Sequence, residues 1–161
     1  MVENVDGVWS HVSGTFYRAV DPVFEHSALL GSRLPGRYSA ANQPTLYLSS
    51  STQGVDAALA AHTVGRVDQL NLLEFHVDAE KVVDLRDSAV LLALGVNLAD
   101  AVAPWQDVVK LCGAPSSWRV RQHLEAQGAH GLIDPSRTRP GLWHLTLFRW
   151  NSPNAPRVTA S

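Results

Sequence analysis

Apolar residues in this chain alternate in short bursts, separated by turn residues and by a few stretches of helical spacing. Thr15–Val20 places Phe16, Arg18 and Val20 on one face and Tyr17 and Ala19 on the other, the period of a strand. Thr45–Ser49, introduced by Pro44, reads as a short buried strand. Its end runs into Ser49-Ser50-Ser51-Thr52, a series of natural helix N-caps, before an Ala-rich segment with helical spacing at Val55, Leu59 and His62. Leu70–Val77 predicts another strand with Leu73, Phe75 and Val77 on one face, and Val82–Leu85 a short continuation. Asp87 and Ser88 offer caps to a helix over Ala89–Leu94 that Gly95 stops, with a second short helix from Asn97 or Asp100. Pro104-Trp105 reads as a lid or edge. Pro115-Ser116-Ser117 introduces a helix over Trp118–Gln127 with an apolar stripe of Trp118, Val120, Leu124 and Ala126, ended by Gly128. Gly131–Asp134 is a brief strand. Leu142–Trp150 is the clearest one, with Trp143, Leu145 and Leu147 alternating against His144, Thr146 and Phe148. Residues 1–14 read as an irregular N-terminal arm anchored by Trp9, and 151–161 as a frayed, flexible tail. Strands mixed with short helices predict an α+β fold: small mixed sheets with flanking helices in a single domain, 1–161.

Composition narrows the class of partner. Charged residues make up 17% of the chain and the net charge is −2, which lacks the basic excess of a direct nucleic-acid binder. The single Cys112 rules out an internal disulfide framework and fits a reducing, cytoplasmic setting. No window approaches 18 uninterrupted apolar residues, so no membrane span is expected. The seven histidines show no metal-ligand spacing, and no P-loop, GxGxxG, CxxC, HExxH or GxSxG is present. No metal is expected.

Two basic loops remain as candidate chemistry. Gly31–Tyr38 holds Arg33 and Arg37 among Gly31, Pro35 and Gly36, so bidentate phosphate donors sit on a backbone free to turn. Pro135–Gly141 holds Ser136, Arg137, Thr138 and Arg139. Arg18, flanked by Phe16 and Val20, needs a partner. The helix start after Ser51 is a second, weaker anion site.

The ordered set Tyr17-Arg18-Ala19, Gly36-Arg37-Tyr38, Pro44-Thr45-Leu46-Tyr47-Leu48-Ser49-Ser50 and Asp134-Pro135-Ser136-Arg137 resembles the RES-domain toxins of RES–Xre toxin–antitoxin modules. That resemblance implies a fold related to ADP-ribosyltransferase toxins and an activity that degrades NAD at its nicotinamide–ribose bond, as a glycohydrolase or phosphorylase. It implies NAD as substrate, an Xre-type helix-turn-helix antitoxin as partner, and leaves a homodimer open. Carried over by position, Arg18 and Tyr47 fall at catalytic positions, and Arg18, Arg37, Tyr38, Tyr47 and Ser136 at NAD-binding ones. The family's Glu falls at Ala58. Asp56 is a poor substitute, since residues two apart on a helix point about 200° apart. Glu74 is either a substitute or a solvent-facing strand residue. Two readings therefore stay open: an NAD-degrading toxin, or a catalytically silent RES-like protein that binds a nucleotide or a partner.

Overall fold

A computed structural model describes residues 1–60 and 69–161. The strands are β1 (Val2–Asn4), β2 (Trp9–Val20), β3 (Leu46–Ser49), β4 (Asn71–Asp84), β5 (Gly131–Pro135), β6 (Trp143–Leu147) and β7 (Arg157–Ala160). The helices are α1 (Thr52–Ala60), α2 (Ser88–Leu94), α3 (Leu98–Val102), α4 (Gln106–Lys110) and α5 (Ser116–Ala126), with a 3-10 segment at Pro22–Leu30. This is the expected α+β single domain, its strands joined in one mixed sheet. The order is β1-β2-β3-β6-β5-β4-β7, and β2 also pairs with β4, so β2, β3, β6, β5 and β4 form a closed ring. Among the described strands only β4 and β5 run parallel.

Alternation along these strands sends one set of side chains into the ring. Val12, Phe16, Leu46, Leu48, Phe75, Val77, Leu145 and Leu147 meet there, and Ala28 of the 3-10 segment packs against them. The opposite set meets the helices, where Val83 and Leu132 join Val90 of α2, Ala101 of α3, and Val120 and Leu124 of α5. The fold therefore has two cores, one on each side of the ring.

Four expectations change. Residues 1–14 are not an irregular arm: β1 pairs with β2, and β2 starts at Trp9, facing Val83. Residues 151–161 are not a frayed tail, because β7 pairs with β4 and buries Val158. Both are edge strands held by backbone pairing, which leaves little trace in side-chain pattern. The two strands expected between Leu70 and Leu85 are one. A bulge sets Glu80 and Lys81 opposite His11, with Lys81 in the left-handed region (φ 56°), and the polar break in the pattern is that bulge. Ala126 of α5 is exposed, and Arg121 takes its place on the buried face. The helix caps at Asp87, Asn97 and Gly95 form as expected, each cap side chain or backbone group bonding the helix end. Pro104-Trp105 leads into α4. His62, expected on the Ala-rich helix, lies outside the described residues.

Candidate functional site

Register places a row of polar side chains on the helix-facing side of the ring. Tyr17 pairs with Ser49, Ser49 with His144, and His144 with Asp134, so the row crosses β2, β3, β6 and β5. Directly paired residues share a face. Ser49 Oγ and His144 Nδ1 share a hydrogen bond of 3.0 Å. One rung away, Tyr47, Thr146 and Leu132 form the next row.

The loop Gly36–Ser39 closes over these rows. The Tyr38 amide donates to the Tyr47 hydroxyl at 3.0 Å, and Ser39 Oγ lies 2.6 Å from that hydroxyl. Gly36 permits the approach: a Cβ there would stand 2.6 Å from the Tyr47 hydroxyl. The Tyr38 hydroxyl, on a ring only 1% exposed, donates to Asp134 Oδ2 at 3.3 Å. Arg37 donates to the carbonyls of Ala101 and Ala103 at the end of α3, at 3.1 and 2.9 Å.

Helix α5 grips the same loop from three positions. Ser117 Oγ donates to the Arg37 carbonyl, and Trp118 Nε1 donates to the Gly36 carbonyl at 2.8 Å. Arg121 donates to the Tyr38 carbonyl at 3.0 Å and to Thr45 Oγ1 at 2.6 Å, pairs with Glu125 at 2.7 Å, and lies 4.7 Å over the Phe148 ring. The serines expected to introduce α5 lie in its first turn and serve as tethers, Ser116 to the Asp100 carbonyl and Ser117 to the loop.

Burial sets the electrostatics. It pushes the Asp134 carboxyl up to about 7, against the opposing pull of the Arg37 charge and the Tyr38 hydrogen bond. Arg37 is lowered by burial and by the neighbouring Arg137 charge, while Tyr38, Asp134 and Tyr47 hold it up. Burial raises both Tyr38 and Tyr47 and lowers His144. Arg37, Tyr38, Tyr47, Asp134 and Arg137 thus form one electrostatic group.

The residues singled out from sequence divide accordingly. Arg37, Tyr38 and Tyr47 come together. Ser136 is half-buried two positions beyond Asp134, its Oγ accepting from the Arg139 amide at 3.3 Å. Arg18 stands apart on the inner side of the ring, where it donates to the Ala28 carbonyl at 2.8 Å and burial lowers its pKa. Ala58 is exposed on α1, as is Asp56. Glu74 is exposed on β4 and lines a hollow of about 490 Å³ with Glu25, His26, Leu72 and Ser161, which none of the other singled-out residues lines. Among the described residues no group of His, Cys, Asp or Glu side chains could hold a metal ion, and no helix is long and apolar enough to cross a membrane.

Sequence reasoning passed over Asp134 as an acid, the Ser49–His144 pair, and the tethers Ser117, Trp118 and Arg121. The signal for the first three was a polar residue at the outward position of an otherwise apolar strand.

The model of the RES domain family matches residues 15–161. The chain belongs to the RES domain family. Six chains of solved structures match this RES domain. One is a chain of the crystal structure of the M. tuberculosis MbcT–MbcA toxin–antitoxin complex, similar at 17% sequence identity and a TM-score of 0.53 over 94% of this chain and 85% of that one. That likeness supports the fold. No curated protein sequence matches this chain.

Proposed function

We propose that this RES domain is the toxin of a toxin–antitoxin pair, acting in the cytoplasm, and that it degrades NAD by cleaving the nicotinamide–ribose bond. The carrying observation is the grouping of Arg37, Tyr38 and Tyr47 around one buried carboxylate, with Arg137 and Ser136 beside it. In this reading Arg37 and Arg137 neutralise the pyrophosphate, and Ser136 donates to a phosphate or ribose oxygen. Tyr47 holds the Gly36–Ser39 loop by its hydroxyl and offers its ring to the nicotinamide riboside. Arg18, bonded to the Ala28 carbonyl on the inner side, lies outside this grouping. Nicotinamide leaves as a neutral molecule from a cationic precursor, so the protein's task is to orient the dinucleotide and stabilise a cationic sugar. The partner is an antitoxin protein of helix-turn-helix type. Membership of the RES family and likeness to a chain of a toxin–antitoxin complex support the pair.

A second reading, a catalytically silent nucleotide- or partner-binding protein, is favoured by Ala58 where the family resemblance calls for Glu. Incubating micromolar protein with NAD and measuring nicotinamide by chromatography separates the two, with calorimetry for affinity. Release of nicotinamide supports the first; binding without release supports the second. Neither release nor binding overturns the first and any nucleotide-binding role in the second, leaving partner binding alone.

A further inference from the structure

Breaking the bond between ribose C1′ and a pyridinium nitrogen leaves positive charge on the sugar, and a carboxylate close by is the group best suited to stabilise it. Position 58 offers none, Asp56 and Glu74 are exposed, and Glu74 sits at the far end of the polar row, paired with Tyr17 of β2. Glu125 is engaged by Arg121. Among the described residues Asp134 is the only buried carboxylate, 7% exposed. Its position is built by the whole site. The Tyr38 hydroxyl donates to it, the Arg37 charge offsets its burial, His144 of β6 pairs with it, and Tyr47 of β3 feels its charge. Arg137 follows it on the basic loop. A buried acid without an ion pair of its own is costly, and such costs concentrate where a site needs the group.

We infer that Asp134 supplies the catalytic carboxylate of this site, facing the cationic ribosyl centre and accepting a proton from the attacking water. The inference rests on the NAD-cleaving reading above. In the step, the C1′–N1 bond breaks and its electron pair leaves with neutral nicotinamide. A water oxygen then bonds C1′, and its proton passes to Asp134 and on to solvent. NAD⁺ and water give ADP-ribose, nicotinamide and one proton. The elevated proton affinity of Asp134 suits it to this exchange near neutral pH.

The test is Asp134→Asn in the full chain, with nicotinamide release followed from pH 5 to 9. Wild-type kcat/KM is expected to fall about tenfold per pH unit below about 7, as the carboxylate takes up its proton. Asp134→Asn is expected to lower kcat by at least about 100-fold with KM changed little, and to lose that acid limb. Tyr38→Phe keeps the carboxylate but removes a hydrogen bond that favours its ionised form, so its acid limb moves to higher pH; this holds even if the Asn variant does not fold. An active wild type whose Asn variant keeps its rate and limb, or whose Phe variant leaves the limb unmoved, overturns the assignment to Asp134 alone. A wild type that releases no nicotinamide overturns the NAD-cleaving reading and this inference with it.

Discussion

The two sides of the ring are made by the same strands, yet they are organised on opposite principles. On the inner side Leu145 and Leu147 of β6 meet Leu46 and Leu48 of β3, residues that need only exclude water. On the helix-facing side His144 and Thr146 of the same strand meet Ser49, Tyr47 and Asp134, each requiring a partner or a charge nearby. Ser49 and His144 partner each other, Tyr38 and Ser39 partner Tyr47 and Asp134, and α5 holds that loop from far away in the chain: Arg121 reaches Tyr38 and Thr45, and Ser117 reaches Arg37. A hydrophobic face is assembled by pattern, whereas a polar face must be assembled residue by residue. The inner side is held chiefly by apolar packing, whereas the outer side adds this polar network to an apolar core of its own.

The sharpest break in this contrast is Phe16→Ala on the inner side. Phe16 is fully buried and packs its edge against Trp143 at 5.7 Å, so the change should cost about 3–5 kcal/mol in denaturant unfolding. Next is Arg121→Ala on the outer side. It leaves the Tyr38 carbonyl and Thr45 hydroxyl without their donor and should cost roughly 2–4 kcal/mol. Unlike Phe16→Ala, it should also weaken NAD affinity in calorimetry under conditions where both variants are folded, because the loop bearing Arg37 is released.

A smaller effect tests the electrostatic side. The folded-state pKa of Asp134 is raised above that of an unfolded carboxylate, from 3.8 to about 7. The folded protein therefore binds the proton more tightly, and this group's contribution to stability is full below about pH 4 and lost as pH rises through about 7. Asp134→Asn removes that dependence. Its melting temperature relative to wild type should rise between pH 4.5 and pH 8; a difference that stays flat across that range would argue against the burial of this charge. The smallest effect belongs to neither core. His11 and Asp78 lie 2.6 Å apart on partly exposed side chains, and Asp78→Asn should change stability by no more than about 1 kcal/mol, with that difference shrinking in high salt.

How far the sequence could be read follows the same division. The alternation of Trp143–Phe148 and of Leu73–Val77 locates β6 and the middle of β4, because a strand with one apolar face writes its period into its residues. Asp87, Asn97 and Gly95 locate the helix ends, because caps are local chemistry. Edge strands β1 and β7 escaped notice, since backbone pairing with a neighbour demands little of their side chains. Arg121 was hidden in a helix whose buried face is half polar. Arg18 and Arg37 look alike as basic residues near strands, but one donates to Ala28 on the inner side and the other to Ala101 and Ala103 beneath the outer helices.

By itself the sequence determined the α+β class, the apolar face of the main strands, the caps of α2 and α3, and the ordered motifs by which the chain resembles the RES family. Only the tertiary structure decided which polar residues share a site. A strand's period says that two side chains lie on one face, but register, ring closure and the docking of α5 decide what that face meets. Asp134 has a neighbour's charge and a tyrosine hydroxyl only because β5, β6 and the Arg37 loop arrive at one place, and no local pattern encodes that arrival.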